Sequence, residues 1–280
     1  MNSIDLTNLQ DWIGNSETSN DVLAARHGRL LAATLDCPPE RCVDGMPLPP
    51  LWHWCYFLDA LPESQLGRDG HPARGGFLPP VPLPNRMWAG GTLEFHAPLP
   101  FGAAVERRSC VASVEHKRGR SGDLVFVTVR HQIFHQGQLA LTEHHDIVYK
   151  EAAARGNAGG DGPTMPTASH SRDFRPSSTT LFRYSALTFN GHRIHYDADY
   201  CRTVEGYDNL VIHGPLTATM LAGFAEELGG RPLKAFRYRG LRPATLGASL
   251  TLNAAPHEDG LQLWSALPDG TPSMLAYACF

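Results

Sequence analysis

The chain has 280 residues, 42% of them apolar and 19% charged, enough to build a sizeable core and too apolar for a disordered chain. Its 24 basic and 28 acidic residues leave a net charge of −4, and no segment carries the basic excess that a phosphate backbone would require, so nucleic acid is not an expected partner. No apolar run reaches the ~18 residues that span a bilayer, and the first residues lack a basic stretch followed by an apolar one, so neither a membrane span nor secretion is expected.

In chain order, residues 5–13 and 19–35 read as helices, the second capped at Ser19 or Asn20, with Val22, Leu23, Leu30, Leu31 and Leu35 at helical spacing. Together they form an N-terminal helical lead, residues 1–44. The segment PLPPLWHWCYF (47–57) gathers Trp52, Trp54, Tyr56 and Phe57, a cluster more typical of a core than of a ligand platform. Residues 62–90 are a Gly- and Pro-rich excursion, long enough to suggest a functional or mobile loop. From residue 91 the period falls to two. Four successive strands are expected there, with hairpin turns at 117–122 and 135–138. The pair His144-His145 falls in the last of these strands and reads as a strand edge rather than a ligand set. Residues 151–174 are small, polar and Gly-rich, a linker between a first unit (45–150) and a second (175–280).

The second unit opens on TTLFRYSALTFN, read as a strand running into a short apolar stretch. A helix is predicted from Thr217, with Met220, Leu221, Phe224 and Leu228 on one face and Gly229-Gly230 to end it. Three strand-like runs and a terminal fourth close the chain. A long helix followed by antiparallel strands that can wrap it is an α+β layout. The six cysteines show no CxxC pair and read as reduced thiols, which makes a cytoplasmic protein the default.

The densest chemical signal is Asn190-Gly191-His192-Arg193-Ile194-His195-Tyr196-Asp197, followed by His213-Gly214-Pro215 at the start of the main helix. Gly214 allows close approach to a ligand, and Pro215 suits a first helical turn. Free N–H groups at that terminus, helped by the helix dipole, can hold a carbonyl oxygen as charge develops, while a nearby histidine moves a proton. That combination fits acyl-thioester chemistry through an enolate-like transition state. His192, His195 and Asp197 could also be read as metal ligands, although no companion cysteine or acidic cluster accompanies them. Asp197 could equally cap the turn that follows, and His213 could be a structural histidine.

These segments resemble the MaoC-like hot-dog hydratases and dehydratases. In that family's pattern an Asp stands five residues before a catalytic His that is followed by x-Asp, and a His-Gly opens the long helix. On this chain the His is His195, the x-Asp is Asp197 and the His-Gly is His213-Gly214. The family's Asp falls on Asn190. With PLPPLWHWCYF and Arg86-Met-Trp88-Ala-Gly-Gly, the likeness extends over residues 47–280, to a two-hot-dog branch that handles 3-hydroxyacyl thioesters.

The resemblance implies a double hot-dog fold, with two long helices each wrapped by an antiparallel sheet. The second unit would carry the catalysis and the first would lend a pocket wall. It implies reversible addition of water to a 2-enoyl thioester of coenzyme A or acyl carrier protein. The expected substrate is a short branched dicarboxylyl-CoA such as mesaconyl-C4-CoA (3-methylfumaryl-CoA) or itaconyl-CoA. His195 would be the general base, Asn190 would hold water or orient the imidazole, and His192 or Asp197 would supply any second acid–base function. Gly214 and its neighbours would polarise the carbonyl. Arg86, beside Trp88, would meet a distal carboxylate, and Arg193 and Arg202 are candidates for the coenzyme A phosphates. No metal or redox cofactor is implied, and a homodimer is conceivable. Alternatives are a dehydratase of fatty-acid type, a hot-dog thioesterase, and a non-catalytic acyl-thioester binder.

Overall fold

A computed structural model describes residues 7–72, 75–119, 122–151, 163–247 and 249–280. The first half contains α1 (Thr7–Gln10), β1 (Ser16–Val22), α2 (Ala25–Thr34), β2 (Asn85–Phe95), β3 (Ala104–Gly119), β4 (Gly122–His135) and β5 (Gln138–Lys150). The second contains β6 (His170–Phe174), α3 (Ser178–Leu187), α4 (Ala198–Tyr200), α5 (Gly214–Gly229), β7 (Ala235–Gly240), β8 (Leu250–His257), β9 (Gly260–Ala266) and β10 (Pro272–Cys279).

All ten strands join one antiparallel sheet in the order β1-β3-β4-β5-β2-β7-β10-β9-β8-β6. The halves meet where β2 pairs with β7, from Gly90 opposite Arg239 to Glu94 opposite Ala235. The period-two reading of residues 91–150 therefore corresponds to real strands. Between β4 and β5, Gln136 and Gly137 both take positive φ (50° and 77°), the two-residue turn that matches strand twist. The expected turn at 117–122 lies partly outside the described residues, as do residues 152–162 of the expected linker. Its last residues are not linker-like, since β6 pairs with β8.

Helix α5 ends where the sequence indicates and begins at Gly214, three residues before the predicted Thr217. Pro215 lies in its first turn and Gly230, at φ 63°, closes it. Leu216, Ala218, Leu221, Ala222, Phe224 and Ala225 are buried against the sheet of the second half. The first half has no helix of matching length among its described residues. Its longest is α2, ten residues, and the Trp52–Cys55 segment is a single 3₁₀ turn.

Three local readings are corrected. Residues 19–22 belong to β1, paired with β3, so Ser19 and Asn20 are no helix cap and α2 starts after Ala24. TTLFRYSALTFN is helical: Ser177 and Thr180 form a reciprocal cap, and Leu181, Tyr184 and Leu187 bury one face of α3. β5 lies between β4 and β2, so His144-His145 is in the middle of the sheet and not at an edge.

Candidate active site

Two segments that are remote in sequence are stitched together by backbone. Val211 N–H donates to the Ile194 carbonyl (2.8 Å), and the Val211 carbonyl accepts from His195 Nδ1 at 2.7 Å. A carbonyl can only accept, so Nδ1 carries the proton and Nε2 keeps a lone pair, the form a general base requires. His195 is 7% exposed, and its ring lies on that of His213, centroids 3.6 Å apart at 17°. His213 immediately precedes α5, is fully buried, and shares a 2.9 Å hydrogen bond between its Nε2 and Ser185 Oγ on α3. Its Nδ1 is buried with no partner among the described residues. Burial and neighbouring imidazoles push the pKa of His213 well down, and burial, partly opposed by the Val211 carbonyl, brings His195 to about 4. Both rings are therefore neutral at pH 7.

Asn190 follows α3 by way of Phe189, which has a left-handed backbone (φ 49°). Its Oδ1 accepts the His192 N–H at 3.0 Å, leaving the amide NH₂ as a donor beside the cleft it helps to line. His192 stands edge-on to His195, centroids 5.4 Å apart, and burial with His71 and His195 nearby drives its pKa to about 2. Asp197 is not brought to the imidazoles as an acid–base group. One oxygen caps the Tyr200 N–H at 2.9 Å, and the other is held by Arg193 at 2.7 and 3.1 Å. The capping reading of Asp197 is the structural one. Arg193 is thereby neutralised by its own segment, its guanidinium 4.2 Å over the Tyr200 ring. Arg202 donates to the Asp208 carbonyl.

The excursion 62–72 crosses this segment and carries residues that the sequence reading passed over. Asp69 Oδ2 lies 2.9 Å from His71 Nδ1, and the His71 ring is 4.0 Å from that of His192. Arg193 N–H donates to the Asp69 carbonyl at 2.9 Å, and a Cβ on either Gly70 or Gly191 would strike the other's carbonyl oxygen. Only glycine at both positions allows that approach. Burial raises the Asp69 pKa, but the hydrogen bond and charge of His71 more than reverse this and hold the carboxyl below its usual range. Asp69, His71 and His192 also bring three potential metal-ligand atoms within 4.8 Å of one another, a set different from the His192, His195 and Asp197 considered from spacing.

A cleft of about 420 Å³ reaches this ground at His71, Asn190 and Pro215, while His192, His195, His213 and Gly214 stand behind its lining. Tyr184, Thr188, Asn190 and Pro215 form its wall in the second half, and His71 and Pro72 lie on its lining. Across from them, Trp88 fills the space over Gly214, where a Cβ would come within 2.7 Å of its ring, and stacks on Tyr238 at 4.4 Å. Further residues of the first half continue that wall: Arg107, His131, Glu143 and His145. Glu143 is 3% exposed and held by His53 Nε2 and Trp54 Nε1, each at 2.9 Å. Burial pushes its pKa up, yet the His53 hydrogen bond and the surrounding imidazoles prevail and leave it at about 2. Trp52 is core, as expected, whereas Trp54, Tyr56 and Phe57 also face the cleft. Arg86 is outside the cleft lining, although its charge is felt at His145 and His192. A second hollow of about 570 Å³ lies along β1, β3 and β4, beside Asp21 and Arg108, and shares no lining residue with the cleft.

A family profile described as hydroxyacyl-thioester dehydratase type 2 matches residues 51–246, more than half of the chain. The chain belongs to that family. Mesaconyl-C(4)-CoA hydratase of Chloroflexus aurantiacus is 43% identical over 266 residues, 95% of each chain. The mitochondrial hydroxyacyl-thioester dehydratase type 2 of Schizosaccharomyces pombe is 30% identical over 73% of this chain and 77% of its own. Among solved structures, a MaoC-like dehydratase from Phytophthora capsici superposes with a TM-score of 0.71 at 13% identity over 99% of both chains. A Mycobacterium tuberculosis protein described as a double hot dog gives 0.60 at 13% identity over 95% of both. At such identities the structures speak for the fold alone, and that fold is the double hot dog. This family member is a hydro-lyase of the hydratase and dehydratase type. No described helix is long and apolar enough to cross a membrane.

Proposed function

We propose that this protein reversibly hydrates the double bond of a short branched 2-enoyl-CoA bearing a second carboxylate, with mesaconyl-C4-CoA as first candidate and itaconyl-CoA as second. The observation that carries the chemistry is His195, fixed by the Val211 carbonyl with Nε2 as its basic nitrogen and stacked on His213 at the N-terminus of α5, in the same short segment as Asn190, which lines the cleft. The 43% identity to a mesaconyl-C(4)-CoA hydratase supports the substrate.

In the hydration direction, His195 Nε2 takes a proton from water as the water oxygen bonds to Cβ. The π electrons move toward the thioester, and the oxyanion is held by the N–H of Gly214 at the positive end of α5. His71 gives a proton to Cα as the carbonyl re-forms, and exchange with solvent returns His71 and His195 to their starting protonation states. Asn190 donates its amide to the water or the substrate but transfers no proton. The second acid–base function therefore falls to His71, which lines the cleft and is backed by Asp69. Six free thiols, three of them buried, suit a reducing compartment and support a cytoplasmic enzyme.

The test follows enoyl-thioester absorbance with mesaconyl-C4-CoA, itaconyl-CoA and crotonyl-CoA, with a thiol reagent in parallel and His195→Gln as control. Loss of the enoyl band without thiol release, abolished by the substitution, is expected. Thiol release would instead make the protein a thioesterase. Turnover confined to long unbranched acyl groups would make it a dehydratase of fatty-acid type.

A further inference from the structure

The first-half wall of the cleft carries a charged group that a hydrocarbon would leave unmatched. Along β3, alternate residues Val105, Arg107 and Ser109 share a face, and Val105 and Ser109 are buried in the sheet's interior. The guanidinium between them is half-buried and lines the cleft. It makes no hydrogen bond or ion pair with any described residue. Its recorded contact is with the Phe57 ring, 4.9 Å beneath, and its Nε is buried without a partner. Across the sheet, His145 Nε2 is likewise buried and unpartnered, while His131 Nδ1 is joined to Ser109 Oγ at 2.8 Å.

An inward-facing cation without a partner is costly unless an anion meets it. The protein's own carboxylates do not fill that role. Glu143 has both oxygens engaged by His53 and Trp54, and Asp21 accepts the Phe57 and Val22 N–H groups. Asp59, Glu17, Glu143 and Asp21 act on Arg107 only through their fields, against a burial that lowers its pKa. His131 is kept neutral by burial, with a pKa of about 3, so it neither repels nor attracts a carboxylate but can hydrogen-bond to one.

We propose that Arg107, assisted by His145, is a carboxylate-binding subsite, and that the enzyme selects acyl-CoA thioesters whose acyl group carries a free carboxylate. This rests on the hydratase reading of the same cleft and deepens it. Arg107 takes the role that the sequence suggested for Arg86. A guanidinium fork suits a carboxylate, and an apolar acyl tail would leave Arg107 and His145 unsatisfied while displacing the water that could serve them.

The subsite can be tested on unreactive ligands, independently of catalysis. Calorimetric dissociation constants are compared for succinyl-CoA, glutaryl-CoA and butyryl-CoA on the wild type, Arg107→Met, Arg107→Lys and Arg86→Met. KM is measured on mesaconyl-C4-CoA and crotonyl-CoA. The wild type is expected to prefer at least one dicarboxylyl thioester over butyryl-CoA by about 30-fold, within the range for hydrogen bonds to charged groups. Arg107→Met should abolish that preference while leaving butyryl-CoA and crotonyl-CoA within about threefold, Arg107→Lys should keep part of it, and Arg86→Met should keep it whole. If Arg107→Met does not fold, the wild-type preference and its reduction in Arg107→Lys decide. Equal wild-type affinity for the three ligands, or equal weakening of all by the Arg107 substitutions, overturns the subsite. A dicarboxylyl preference with no hydration of any enoyl-CoA would sink the proposed function and leave the subsite standing. Hydration without the preference would do the reverse.

Discussion

Lowering the pH from 7 to 5 should destabilise this protein by an amount that its histidines set. Burial holds His195 at about 4, His131 at about 3 and His192 at about 2, against an ordinary value of 6.5. At pH 7 each is neutral in the folded protein and about three-quarters neutral in the unfolded chain. As the pH falls through 6.5, the unfolded chain takes up a proton at each site and the folded protein does not, so stability is lost on acidification. Below 6.5 each group approaches a slope of about 1.4 kcal/mol per pH unit, which comes to about 2 kcal/mol per histidine between pH 7 and 5. Three such groups give about 6 kcal/mol, near the lower end of the whole stability of a typical protein.

His213, whose pKa burial and the neighbouring imidazoles also push well down, acts in the same direction. Glu226 and Glu17, whose pKa values burial raises, act in the opposite one, which is why the comparison stops at pH 5. Urea unfolding at pH 7, 6 and 5 measures the effect. His131→Gln, with no imidazole to protonate, should show about 2 kcal/mol less loss over the same interval. A total loss under about 1 kcal/mol would refute the reasoning, because it would mean that the buried rings accept protons as readily as the unfolded chain does.

Gly214→Ala places a methyl 2.7 Å from the Trp88 ring, which cannot retreat because Tyr238 stacks behind it at 4.4 Å. The expected loss is about 1–3 kcal/mol of stability, seen in thermal melts, with a raised KM as the cleft wall shifts. Ser185→Ala removes the hydrogen-bond partner of the fully buried His213 Nε2 and should cost about 1–3 kcal/mol, lowering the melting temperature by a few degrees. Gly70→Ala must drive the excursion off the Gly191 carbonyl without altering any acid–base group, so kcat should fall at least about tenfold in enoyl-CoA hydration while the melt barely moves. An unchanged kcat there would remove His71 from the mechanism.

Much of this molecule is legible in one dimension because its determinants are local. The strands of the first half announce themselves by alternation, and α5 by Pro215 at one end and Gly230 at the other. The errors came where local chemistry pointed two ways. Ser19 and Asn20 look like a helix cap, but the residues around them pair with β3, and the ladder over seven paired positions outweighs the preference for a cap. In α3 the β-branched and aromatic residues suggest a strand, whereas the Ser177–Thr180 cap and the burial of Leu181 and Tyr184 make it a helix. At the site, His195, Asn190, His213 and Gly214 were legible because one short motif and one helix start contain them. His71 and Arg107 were not, since only the fold carries them there. Asp69-Gly-His71 sits in an irregular stretch where a turn explains the sequence just as well. Arg107 sits in Glu106-Arg107-Arg108, which reads as a solvated face until β1 covers one side of β3 and β4 the other.

The asymmetry between the halves accounts for what the cleft can hold. In the second half, α5 fills the concave face of the sheet with Leu216, Leu221 and Phe224, and its first turn reaches the cleft at Pro215. A helix of the same length in the first half would present a comparable apolar stripe and exclude the acyl group. The Trp52–Cys55 turn stands there instead, and two of its side chains, His53 and Trp54, hold the Glu143 carboxylate. Pinning that anion with both oxygens bonded keeps it from closing on Arg107. The guanidinium is thereby left open to the cleft, in a wall that a purely structural half would have filled with hydrocarbon.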